Sequence, residues 1–235
     1  MICLTFDTDY MSAVDMGKFL KDYLFPGKGT FFLWKALDGV DWRDHEIEPH
    51  PYLSQTKAWS LELSDLVQSL KIEPKGIRTH SCAYSQTFGV HLKHQGYEYM
   101  SMATPLLQQN LFPYRHPWGV WELPIYYMDN MDFCMPRNWT NLNYLPFDRN
   151  IIHQALSGQS LYVFDFHPLH IILNTRSFDD YESVKSELIS GKKSPFDYQD
   201  YFQGRGTRTF FQELCMSMES LGVLSVTCLD ALIKI

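Results

Sequence analysis

Leu4-Thr5-Phe6-Asp7-Thr8-Asp9, close to the N-terminus, is the stretch around which the chain is organised. The apolar run Ile2-Cys3-Leu4 leads into it and ends on two carboxylates, which reads as a buried strand with charge at its exit. Side chains alternate on an extended backbone, so Asp7 and Asp9 point to one side. They could bind one cation, or divide the work between metal ligand and base. The plainer alternative makes Asp9 the cap of a helix beginning near Ser12 and Asp7 a solvated strand end. His50, Arg78, His80, Asp129 and His167, each near a strand or loop boundary further along, weigh against it.

Outward from that stretch, residues 12–24 carry a helical stripe of Val14, Leu20 and Leu24, with Phe19 and Tyr23 alongside, stopped by Pro26-Gly27. Residues 29–34 form an aromatic-rich second strand, and strand, helix, strand predicts a parallel pair with a right-handed crossover. Residues 41–60 have no clean period and contain Pro49 and Pro51, so they read as a loop presenting His45, Glu46, Glu48 and His50. A short amphipathic helix over 61–70 precedes a brief strand ending Ile77-Arg78-Thr79-His80, then a helix over 87–95 and a strand over 97–102. Residues 104–117 are irregular, and Pro124 demotes 120–127 to an edge or irregular strand before Asp129. A helix over 148–156 leads to a clear strand over 161–166, which runs into His167-Pro168 with Asp165 and His167 on one face. Residues 177–208 are polar, with one helix over 181–189, and read as an excursion or lid. A helix over 210–221, a strand over 223–226 and a closing helical turn over 229–233 complete the pattern.

Strands alternating with helices, with polar groups at strand exits, predict a parallel α/β barrel or a doubly wound sheet of about seven strands. In both, ligands bind at the carboxyl ends of the strands, so residues remote in sequence could converge. The 235 residues are expected to form one domain, 1–235. A net charge of -7 argues against the clustered Lys and Arg that a nucleic-acid footprint needs. No stretch approaches the roughly 20 apolar residues that span a bilayer. A strand starting at residue 2 leaves no room for a secretory signal, so the expected location is cytoplasmic. Cys3, Cys82, Cys134, Cys215 and Cys228 lack CxxC spacing and read as reduced packing thiols. Trp118, Trp121, Tyr126 and Tyr127 could stack on sugar faces.

On these residues the chain resembles the polysaccharide deacetylase superfamily, which includes peptidoglycan and chitooligosaccharide deacetylases on a distorted (β/α)7 barrel. Thr5-Phe6-Asp7-Thr8-Asp9 is similar to the superfamily's opening Thr-Phe-Asp-Asp with one residue inserted, and Gly29-Thr30-Phe31-Phe32 to its second strand. Glu46-Ile47-Glu48-Pro49-His50 resembles the stretch that supplies a metal-binding histidine, and Ile77-Arg78-Thr79-His80 the motif whose arginine pairs with the catalytic base. Leu123-Pro124-Ile125 leading to Asp129 resembles the fourth motif, and Phe166-His167-Pro168 the last, whose histidine is the catalytic acid.

The resemblance implies a metal-dependent hydrolase that removes an N-acetyl group from an amino sugar, and the expected cytoplasmic location makes a precursor for a surface polysaccharide such as an O-antigen the expected substrate. It implies Asp7 as general base held ionised by Arg78, and His167 as general acid oriented by Asp129, although strand geometry alone would offer Asp165 instead. One departure matters. The superfamily's two metal histidines are four residues apart, and four after His50 stands Ser54. His80 is the most economical substitute, so the expected ligands are Asp9, His50 and His80 around one divalent ion. Such mixed ligation suits zinc, with cobalt, nickel or manganese as replacements. His45 and His116 are spare candidates, each read first as structural. Ser54 also favours a competing reading, a non-catalytic carbohydrate-binding barrel, and the same machinery would serve a hydrolase of another non-peptide C–N bond.

Overall fold

A computed structural model describes residues 1–53, 58–134, 144–199 and 201–234; Ser54 lies outside the described residues. The strands are β1 (Ile2–Asp7), β2 (Gly29–Leu33), β3 (Glu46–Pro49), β4 (Tyr99–Met100), β5 (Tyr114–Arg115), β6 (Trp121–Glu122), β7 (Ile125–Met128) and β8 (Tyr162–Phe166). Five of them form a parallel sheet in the order β3-β2-β1-β8-β7, and three short ones a second sheet in the order β4-β6-β5. The helices are α1 (Ala13–Asp22), α2 (Trp59–Leu70), α3 (Gln86–His94), α4 (Asp129–Cys134), α5 (Arg149–Ser157), α6 (Pro168–Leu173), α7 (Phe178–Ile189), α8 (Thr207–Ser220) and α9 (Cys228–Ile233).

Register explains why β1 sits at the centre. Leu4 lies opposite Phe164 and Phe6 opposite Phe166 on one side, and Phe6 opposite Phe31 on the other. These side chains face the helical layer, where Phe6 and Phe31 stack at 4.6 Å. They bury with Phe19, Leu169, Phe210 and Phe211 from the helices. Alternation sends Cys3, Thr5 and Asp7 to the opposite, inner face, so each strand separates an apolar wall from a polar interior.

Among the described residues no regular strand joins the two sheets. Residues 75–79 pass between them, where Arg78 N donates to Pro49 O at 3.3 Å and Ser101 N to Ile77 O at 3.1 Å. On the far side the chain itself links β6 to β7 through Leu123-Pro124, with Ile125 N on Ala103 O at 2.8 Å. The expected distorted (β/α)7 barrel is thus met as an α/β fold with a parallel sheet whose wall is regular on one side and stitched by single bonds on the other.

Several boundaries differ from expectation. Strand β3 lies inside the stretch read as a loop, because its inward residues are Glu46 and Glu48 and break the apolar signal. Thr30 Oγ1 and Tyr99 Oη donate to Glu46 at 2.6 and 2.9 Å, and Lys75 N donates to Glu48 at 3.0 Å. The strand expected over 97–102 shrinks to two residues. The strand expected over 223–226 reduces to one bridge between Ser225 and Gly27. That bridge needs glycine, since Gly27 has φ +92° and a Cβ there would fall 2.2 Å from Ser225 O. The proline at 124 acts as read, with β7 at the sheet edge and a register shift between Ile125 and Tyr127. Within 177–208, α7 begins three residues earlier than expected, and its Val184 and Leu188 bury in the main core. Among the described residues no helix is long and apolar enough to cross a membrane.

Candidate metal centre and active site

The carboxyl ends of β1, β3, β7 and β8 open on one cleft of about 260 Å³, lined by Asp7, His50, His80, Cys82, Met128 and His167 among others. A larger groove, about 700 Å³ between α5 and α8, contains none of the strand-exit residues. Asp7 is the last residue of β1. Thr8 keeps the next step extended by donating through N and Oγ1 to Phe32 O, each at 3.1 Å. Tyr10, at φ +59°, then turns the chain away. Asp9 is left 3% exposed and directed inward. Ser12, not Asp9, caps α1, accepting from Asp15 N, so the helix-cap reading of Asp9 fails. His50 follows β3 and is seated by its N–H on Leu33 O at 2.8 Å. His80 opens a short 3-10 turn whose Ser81 and Cys82 both sit in the left-handed region, at φ 57° and 51°.

Asp9, His50 and His80 form a group that could hold a metal ion: one ligand atom from each lies within 4.8 Å of the others. His50 Nε2 is 3.4 Å from Asp9 Oδ2 and 3.7 Å from Asp7 Oδ2, while His80 Nδ1 is 3.5 Å from Asp9 Oδ1. His50 Nδ1 lies 2.9 Å from Arg78 O, a carbonyl that can only accept, so Nδ1 carries the hydrogen and Nε2 presents its lone pair to the carboxylates. Among the described residues, Asp9 Oδ2 and His50 Nε2 are both buried without a hydrogen-bond partner. Two bare polar atoms facing each other are costly unless something positive sits between them. The field agrees. Burial works to lower the pKa of His50, but the carboxylates of Asp7 and Asp9 outweigh it and raise it. Burial works to raise Asp9, yet His50, then His80 and His167, hold it far below the usual carboxylate range. A divalent cation with carboxylate and imidazole donors fits these residues.

The other half of the site is bonded through Arg78 and Asp129, with Asp165 Oδ2 left without a partner among the described residues. Arg78 is completely buried, and its Nη1 donates to Asp165 Oδ1 at 2.6 Å, Thr5 Oγ1 at 2.9 Å and Asp7 Oδ1 at 3.0 Å. Its Nε and Nη2 reach Ser101 O and Oγ at 3.0 and 2.8 Å. One guanidinium facing two carboxylates leaves surplus negative charge, and burial lifts Asp165 to about 8 in spite of Arg78. His167 Nδ1 meets Asp129 Oδ1 at 2.7 Å, and the His167 N–H donates to Asp129 Oδ2 at 2.9 Å. Between the two partners that strand geometry and resemblance offered for His167, the bonded one is Asp129. Burial would lower His167, but Asp129 raises it to about 10, so the ring holds a proton at neutral pH. Its Nε2 points back to Asp9 Oδ2 at 3.7 Å.

Of the seven expected site residues, Asp7, His50, His80 and His167 line this cleft, and Asp9, Arg78 and Asp129 stand behind them in contact with His50, Asp7 and His167 respectively. The spare histidines do neither. His45 accepts from Gly29 N at 3.1 Å and packs on Phe25 and Phe31, and His116 stacks on Trp118 with ring centroids 4.6 Å apart. Tyr126 and Tyr127 are buried in the core beside Tyr162 and Phe164 and are closed to a sugar. One neighbour was not foreseen. Tyr52 donates its hydroxyl to Asp9 Oδ1 and stacks on His80. The only signal available was its place two residues after His50, which puts both on one side of an extended backbone.

The sequence profile of the WbmS-like polysaccharide deacetylase family matches residues 4–185. Among solved structures, the fold is similar to that of a candidate polysaccharide deacetylase involved in O-antigen biosynthesis, WbmS from Bordetella bronchiseptica. The two are 19% identical over 92% of this chain and 90% of that one, with a TM-score of 0.74. It is also similar to a 4-alpha-glucanotransferase from Thermococcus litoralis, at 11% identity over 100% of this chain and 38% of that one, with a TM-score of 0.54. At such identities likeness speaks to fold, and the same fold hosts different reactions. No curated protein matches the sequence. The parallel α/β fold agrees with the profile, which spans well over half of the residues: the chain belongs to the WbmS-like polysaccharide deacetylase family.

Proposed function

We infer that the protein is a metal-dependent N-deacetylase of an amino sugar, a precursor or intermediate in the making of a surface polysaccharide. The observation that carries this reading is the pairing of two bare, buried donors, Asp9 Oδ2 and His50 Nε2, with a bonded acid–base set on the same cleft. The likeness to a protein described for O-antigen biosynthesis supports the polysaccharide context.

Asp9, His50 and His80 would hold the divalent ion, most suitably zinc. When bound, the ion supplies Lewis acidity, lowering the pKa of water to about 7 and polarising an acetyl carbonyl. The chain's own residues do the rest. Asp7 has Oδ1 held by Arg78 and Oδ2 turned toward the cleft, where it takes a proton from the attacking water. The water oxygen bonds to the acetyl carbon, the C–N bond breaks, and His167 Nε2 gives its proton to the departing nitrogen. Acetate and a free amine leave. Asp129 fixes the ring for that transfer and keeps it charged until then.

Acetate release from a panel of N-acetylated amino sugars, measured on metal-loaded protein, tests the assignment. Asp7→Asn and His167→Ala are each expected to lose about 100- to 10,000-fold in turnover while keeping the wild-type circular dichroism. Turnover retained in either variant would overturn it.

A further inference from the structure

Tyr52 touches two of the three groups that would hold the ion. Its hydroxyl donates to Asp9 Oδ1, and its ring lies flat on the His80 imidazole, with centroids 3.9 Å apart and planes 13° apart. Trp34 backs the Tyr52 ring edge-on at 5.9 Å.

The two contacts do different things. Asp9 has one oxygen engaged by Tyr52, so the partnerless Oδ2 is the one left toward His50 Nε2. His80 is the ligand in greatest need of support. Its side chain is 37% exposed, against 1% for His50 and 5% for Asp9. It also rides on a turn with two consecutive left-handed residues, whereas His50 is fixed through Nδ1 by a backbone carbonyl. A histidine brought from a separate segment needs an external guide, and a flat aromatic face bonded to the neighbouring carboxylate provides one.

We propose that Tyr52 is the positioning residue of the metal centre, clamping the His80 ring against Asp9 and leaving Asp9 to bind through a single oxygen. This rests on the reading of Asp9, His50 and His80 as ligands. Tyr52 thereby lets a residue 30 positions beyond His50 complete the ligand set.

The test titrates zinc into metal-free, full-length protein in competition with a chromophoric chelator, using wild type, Tyr52→Phe, Tyr52→Leu and Asp9→Asn. Wild type takes up one zinc per chain. Tyr52→Phe keeps the stack but loses the bond to Asp9, and binds about 10-fold more weakly; Tyr52→Leu loses both, and binds about 100-fold more weakly. With cobalt in place of zinc, Tyr52→Phe shifts the visible absorption, which a residue that merely filled space would not do. Wild-type affinity in both Tyr52 variants, with loss in Asp9→Asn, overturns the role of Tyr52 and leaves the metal centre standing. No uptake by wild type, or undiminished uptake by Asp9→Asn, overturns the centre and Tyr52's role together. If Tyr52→Leu does not fold, Tyr52→Phe decides alone, since it removes one oxygen.

Discussion

Along β2, β1 and β8 the parallel register runs unbroken and the outward face is a packed layer of phenylalanines. From β3 through residues 75–79 to β4 and β6 the wall is held by scattered single bonds, and its inward side chains include Glu46, Glu48, Tyr99 and Glu122. The regular side places Asp7, Asp9 and His167 by burying what lies behind them. The irregular side places His50, Tyr52, Arg78 and His80 on two segments joined by single backbone bonds, and must be secured by polar contacts instead. Arg78 connects the two, with its backbone in one and its guanidinium against the other.

The sharpest way to break this contrast is to cut that connection. Arg78→Met leaves Asp7 and Asp165 buried without their cation and is expected to cost about 3–5 kcal/mol in urea unfolding. A loss under about 1 kcal/mol would mean that the irregular side holds itself.

A pH series on Glu122 comes next. Its carboxyl is pushed up to about 7, by burial first, with the Met102 and Ala103 N–H groups acting the other way. A carboxyl raised in the folded state favours folding fully below its unfolded pKa of about 4.5 and loses that contribution as pH rises toward 7. The wild type should therefore lose up to about 3 kcal/mol over that window, and Glu122→Gln should flatten the slope. Identical slopes would remove titration of this side as a difference. The smallest effect belongs to Ser81→Gly. Relief of the left-handed backbone should raise stability by about 0.5–1 kcal/mol in the same assay, and a loss would show that the turn is not strained.

Legibility in the sequence followed the same division. Strands β1, β2 and β8 were visible as apolar runs because both faces of each are covered. Asp7, Asp9 and His167 stood out as charge placed where such runs end. Strand β3 was hidden because two glutamates occupy its inner positions, and β4 and β6 are too short to show any period. His80 was found by elimination, from the resemblance and from its strand exit. Tyr52 carried no such mark, as one of 14 tyrosines in an aromatic-rich chain. Its role depends on a ring-on-ring contact with a residue 28 positions away, and spacing along one segment does not encode that.

Arg78 holds one more consequence. Its carbonyl orients His50 while its guanidinium grips Asp7, so a single residue sets the gauge between the ion's cradle and the proton acceptor. A shift of this segment carries both references with it, and their separation survives small breathing of the wall. As the chain is warmed, the capacity to bind a cation and the capacity to move a proton should fade in step rather than one after the other.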